Sequence, residues 1–130
     1  MLGNHVLADF YGCNGKLINN RETVERFMQD AAIHCGATIV NTTIHEFNPI
    51  GISGVVVIAE SHLAIHTWPE YNFIALDAFT CGTLINPHDA INYLFSRFEA
   101  KEKKIHSCPR GDRFEFPVMT VSSQALKVEV

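Results

Sequence analysis

Charge is scarce in this chain: only 18% of its 130 residues are Asp, Glu, Lys or Arg. The basic side is the smaller, with 10 Lys and Arg against 14 Asp and Glu and a net charge of −4. A nucleic-acid partner needs a concentrated basic surface, and this chain does not supply one. Its one local cluster, Lys101, Lys103 and Lys104, is interrupted by Glu102 and reads as a solvated helix end. Long apolar runs are also missing. None approaches the roughly 20 residues that span a bilayer, and no basic N-terminal region leads into an apolar segment as a secretory signal does. A cytoplasmic location, without membrane contact, follows as the expectation. Cys13, Cys35, Cys81 and Cys108 form no C-x-x-C pair, so zinc spacing is absent. In a cytosolic chain four free thiols remain.

What is present is a hydrophobic fraction of 47%, enough for a single domain, 1–130, with its own core. His5 to Tyr11 reads as a first strand, ended by the turn Gly12-Cys13-Asn14-Gly15. Asn19 or Asn20 caps a helix with Val24, Phe27, Met28, Ala31 and Ala32 at helical spacing, and Gly36 stops it. The β-branched stretch Ala37 to Phe47 is a second strand, broken by Asn48-Pro49-Ile50-Gly51. Val55 to Ile58 is a buried central strand, and His62 to Thr67 is a further strand closed by Trp68-Pro69. In Phe73 to Thr80, Phe73, Ala75 and Asp77 share one face and Ile74, Leu76 and Ala78 the other. Asn86-Pro87 starts a second helix with the stripe Ala90, Ile91, Leu94, Phe95 and Phe98. The expected fold class is α+β, a largely antiparallel sheet with helices on one face. Its other face stays apolar, so a homodimer packing sheet on sheet is expected. The tail from Phe114 to Val130 is either an edge strand or disordered.

The chemistry gathers in the stretch from Ser53 to Gly82, SGVVVIAESHLAIHTWPEYNFIALDAFTCG. Glu60-Ser61-His62, then Ile65-His66-Thr67-Trp68-Pro69-Glu70, then Phe79-Thr80-Cys81-Gly82, closely resemble the short prokaryotic S-adenosylmethionine decarboxylase proenzymes. The resemblance runs from HVLADFYGC through PRG and fades beyond Gly111, where the tail is longer than in short members of the family.

The resemblance implies a chain that makes its own pyruvoyl cofactor, with no metal. The hydroxyl of Ser61 attacks the carbonyl of Glu60, the amide becomes an ester, and β-elimination cuts the chain into 1–60 and 61–130. The dehydroalanine left behind loses ammonia and becomes the pyruvoyl group. His66 and Ser53 match the residues that promote this processing, by proton removal and hydrogen bonding to the intermediate. The pyruvoyl carbonyl then takes the substrate amine of S-adenosylmethionine as a Schiff base, and Cys81 matches the acid that protonates carbon. Glu70 matches a carboxylate that binds the ribose hydroxyls, and Phe47 and Trp68 offer aromatic faces to adenine and the sulfonium. The product is the aminopropyl donor for spermidine.

Read without the family, each residue has a plainer role. Ser61 is a strand-end serine, Ser53 a turn serine, His66 a satisfied strand histidine and Cys81 a small core residue. Phe47 and Trp68 are core or interface, and Glu70 is a solvated turn charge. Spacing adds one constraint. On an extended strand Ser61 and His66 are roughly 16 Å apart on opposite faces, and Ser53 is about 26 Å upstream of Ser61 unless the chain folds back. His66 is therefore expected to serve the Ser61 of the partner chain, giving two composite sites per dimer. His62 and His66 also form H-x-x-x-H, but on a strand they are about 13 Å apart, too far to share a metal. Gly51-Ile52-Ser53-Gly54 lacks the full spacing of a nucleophile elbow. The remaining alternatives are a pyruvoyl-dependent arginine or ornithine decarboxylase and a non-catalytic paralogue that regulates an active partner. The paralogue would be expected to have lost the serine or the thiol, and Ser61, His66 and Cys81 are all present.

Overall fold

The computed structural model describes residues 1–82 and 84–115. Among the described residues six strands form one sheet in which every neighbouring pair is antiparallel: β1 (Gly3–Tyr11), β2 (Ile39–Glu46), β3 (Ile52–Ile58), β4 (Ser61–Trp68), β5 (Phe73–Cys81) and β6 (Glu102–Arg110). Their order across the sheet is β2-β3-β4-β5-β1-β6. Three helices among the described residues accompany them, α1 (Gly15–Ile18), α2 (Arg21–His34) and α3 (Pro87–Arg97). The expected α+β architecture is present.

Asparagines start all three helices. The side chain of Asn14 accepts from the amides of Lys16 and Leu17, Asn20 from Thr23, and Asn86 from His88. Each satisfies amides that a helix end leaves open, a contribution of about 1 kcal/mol. Of the two candidate caps for α2, Asn20 is the one used. Asn19 instead accepts the amide of Gly51 at 3.1 Å and ties this helix start to the entry of β3.

The core lies between the helices and one sheet face. Val24, Met28, Ala31 and Ala32 of α2 and Ala90, Ile91 and Leu94 of α3 meet Val6, Ala8 and Phe10 of β1, Val56 of β3, Leu63 and Ile65 of β4, and Ile74 of β5, all buried. In β5, alternate residues are buried and half-buried, so Phe73, Ala75, Asp77, Phe79 and Cys81 point to the open face. That face also carries exposed Leu7, Tyr11, Val57 and Trp68.

Two expectations are corrected. Gly12 to Gly15 is more than a turn, because Asn14 nucleates α1. Lys103 and Lys104 are not at a helix end but on β6, which pairs with β1 along its whole length. Nearly every residue of β6 is exposed, so it lacks the buried alternation that signals a strand, and its lysines suit a sheet edge. Among the described residues no helix is long and apolar enough to cross a membrane. The tail beyond residue 115 lies outside the described residues.

Candidate active site

Strands β3 and β4 are joined by the two-residue turn Ala59-Glu60, with Ile58 opposite Ser61. The bond between Glu60 and Ser61 is therefore at the tip of a tight hairpin. Ser61 has φ 141°, a backbone conformation that favours glycine and costs a serine roughly 1–3 kcal/mol. Cys81, at the end of β5, holds this junction twice. Its backbone amide donates to the carbonyl oxygen of Glu60 at 3.0 Å, and its Sγ lies 3.1 Å from Oγ of Ser61. The carboxylate of Glu60 accepts the amide of Thr38 at 3.2 Å, which fixes the residue on the other side of the bond.

A second group forms at the far end of the same hairpin. Ser53 is directly opposite His66 in the ladder, and its Oγ is 2.8 Å from His66 Nδ1. Beside them is a cavity of about 360 Å³ lined by Ser53, His66, Phe47, Trp68 and Glu70, together with Ile50, Gly51 and Thr67. Phe47 and Trp68 are both partly exposed, and Glu70 is in the short 3-10 turn Pro69–Tyr71 that follows Trp68. Five residues singled out from the sequence therefore border one cavity, and Glu60, Ser61 and Cys81 form another cluster. Within one chain the two groups sit at opposite ends of β4. The chain does fold back after Ser53, but the register delivers Ser53 to His66 and away from Ser61.

Sequence reasoning missed a third cluster. His5, His62 and Asp77 meet on the open face, with Nε2 of each imidazole 2.7 Å from the same oxygen, Oδ2 of Asp77. Burial raises the carboxyl pKa of Asp77, but the two histidine hydrogen bonds outweigh it and hold the carboxyl below its ordinary value. The ring of His62 stacks on Phe79 at 6.0 Å, and His5 meets Phe79 edge-on. The signal available in the sequence was the alternation that put Asp77 on the open face. Its partners come from β1 and β4, and no local pattern links those strands.

A sheet with a thiol and a strained serine at one hairpin tip, and a serine–histidine pair at the hairpin's other end, defines an α+β enzyme built on the open face of an antiparallel sheet. The chain belongs to the S-adenosylmethionine decarboxylase family, whose model matches residues 4–111. It is 51% identical over 117 residues to an S-adenosylmethionine decarboxylase proenzyme of Acetivibrio thermocellus, covering 90% of this chain and 94% of that one. To the proenzyme of Thermosipho melanesiensis it is 43% identical over 127 residues, 98% of each chain. That alignment continues past Gly111, where the resemblance was expected to fade. The crystal structure of the adenosylmethionine decarboxylase from Aquifex aeolicus VF5 superposes with a TM-score of 0.80 at 30% identity, covering 95% of this chain and 98% of that one.

Proposed function

We propose that this chain is a proenzyme that cleaves itself between Glu60 and Ser61 and then, with Ser61 converted to a pyruvoyl group, decarboxylates S-adenosylmethionine. The observation that carries the reading is the double grip of Cys81 on the junction, amide to Glu60 carbonyl and Sγ to Ser61 Oγ. As the hydroxyl adds to the carbonyl, negative charge grows on the Glu60 oxygen. A fixed backbone N–H already aimed at that oxygen stabilises it without reorganisation. The strained backbone of Ser61 raises the ground state of the bond to be broken.

The two site halves act together across a homodimer. Ser61 and Cys81 of one chain face Ser53 and His66 of the other, because within one chain the length of β4 separates them. His66, oriented by Ser53, handles the proton during processing, as an imidazole is suited to do near neutral pH. In the cavity beside it, the Glu70 carboxylate accepts from the ribose hydroxyls, and Phe47 and Trp68 take the adenine and the sulfonium. The pyruvoyl carbonyl supplies the electron sink for loss of carbon dioxide, and the Cys81 thiol delivers a proton to carbon. The product is the aminopropyl donor for spermidine, made in the cytoplasm, where free thiols persist.

The test is intact mass under denaturing conditions, followed by carbon dioxide release from labelled S-adenosylmethionine, arginine and ornithine. Fragments 1–60 and 61–130 are expected, the second lighter by one ammonia than a serine terminus would make it, with release from S-adenosylmethionine alone. A chain that stays uncut would instead indicate a regulatory, non-catalytic role.

A further inference from the structure

Cleavage at Glu60-Ser61 creates a mechanical problem that the third cluster answers. Once the bond is cut, the group left from Ser61 hangs on the backbone nitrogen of His62, and the hairpin turn that had held the start of β4 is open. A strand end without a covalent anchor frays, and misplacement by about 1 Å at a reacting centre can cost on the order of 100-fold in rate. His62 is the first residue with a side chain able to resist this. Its Nε2 is bonded to Asp77 at 2.7 Å, and its ring is stacked on Phe79.

The hydrogen bonds fix the protons. Arg110 Nη1 lies 3.2 Å from Nδ1 of His5, and a guanidinium only donates, so Nδ1 accepts and the proton of a neutral His5 is on Nε2. His5 Nε2–H therefore donates to Asp77, and so does His62 Nε2–H, because an ionised carboxylate only accepts. Two imidazoles and a carboxylate with donor atoms within 4.8 Å also resemble a cation site. Arg110 argues against that use, because it forces a proton onto the nitrogen that a metal would need bare. The cluster is a chain of donors converging on one carboxylate, Arg110 to His5 to Asp77, with His62 donating from the other side.

Resting on the self-cleavage reading above, we propose that Asp77, braced by His5 and Arg110, is a positioning residue that clamps the His62 side chain and so holds the pyruvoyl-bearing chain end in place after cleavage. Before the cut the β3–β4 turn does this work, so the clamp matters for turnover and little for processing.

The experiment compares wild type with Asp77→Asn, which keeps shape and loses charge. In wild type, 15N spectra of histidine-labelled protein, assigned with His62→Gln, are expected to show His62 as the Nε2–H tautomer, and Asp77→Asn to lose that preference. By intact mass Asp77→Asn is expected to cleave as fully as wild type. Its kcat is expected to fall roughly 10- to 100-fold, with KM changed by less than about threefold, as for a group that acts on positioning and not on substrate binding. His62→Gln repeats the kinetic test should Asp77→Asn not fold. An Nδ1–H tautomer in wild type, a wild-type kcat in the variant, or kcat lost only in proportion to lost cleavage would each overturn the clamp. A wild-type chain that neither cleaves nor releases carbon dioxide defeats the function reading instead, and the tautomer then decides by itself whether Asp77 holds His62.

Discussion

The four thiols show how placement sets the chemistry of identical groups. Burial pushes Cys13 up to about 11 and raises Cys35 as well, whereas Cys108 is exposed and Cys81 is half-buried at the hairpin tip. Because the thiolate is the nucleophile, iodoacetamide at pH 8 is expected to label Cys108 and Cys81 and to spare Cys13 and Cys35. Peptide mapping reads this directly, and labelling of Cys13 as fast as Cys108 would contradict its burial. Asp77 gives a pH-dependent prediction. Its folded pKa is depressed below the ordinary 3.8, so its stabilisation is complete above that value and lost as pH falls through the lower, folded one. In an uncut Ser61→Ala background, the loss of urea stability caused by Asp77→Asn is expected to shrink as pH falls below about pH 4. A difference that grows below about pH 4 would show the sign to be wrong.

At the scale of elements, the β3–β4 hairpin sets the site, and its entry is the sensitive point. Gly51 has φ +104°, and a Cβ there would lie 3.3 Å from the carbonyl oxygen of Thr67. Gly51→Ala is expected to cost about 1–3 kcal/mol of stability through backbone strain. Because Gly51 borders the cavity with Ser53 and His66, it should also slow cleavage. Urea unfolding of the uncut form and a time course of intact mass measure the two effects. Unchanged values in both would mean that the β3 entry adapts freely. The edge strand β6 teaches a different lesson. Its lysines looked like a helix end because nothing about an exposed strand alternates, and only pairing with β1 gives it a place.

For the whole molecule, the proposed sharing of each site between two chains is open to a direct test. Co-expression of a His66→Ala chain with a Ser61→Ala chain is expected to restore part of the cleavage and activity, since mixed dimers hold one intact pairing of Ser61 with His66. Neither single variant should recover alone. No rescue in verified mixed dimers would mean that each chain completes its own site. Sedimentation of the wild type should give a dimer, and a monomer with full activity would also sink the shared-site reading.

The residues that can do chemistry were legible in the sequence, because a serine, a thiol, an imidazole and a carboxylate declare their reactivity by type and their family by spacing. The buried alternation of β5 and the asparagine starts of α2 and α3 were legible for the same reason, since both depend on neighbours a few residues away. The tertiary structure alone decided which groups meet. Ladder register put Ser53 on His66 and the amide of Cys81 on the carbonyl of Glu60, and it gathered His5, His62 and Asp77 from three strands. Register is set by burying one face of the sheet against the helices, a sum over the entire core that no local stretch of sequence contains.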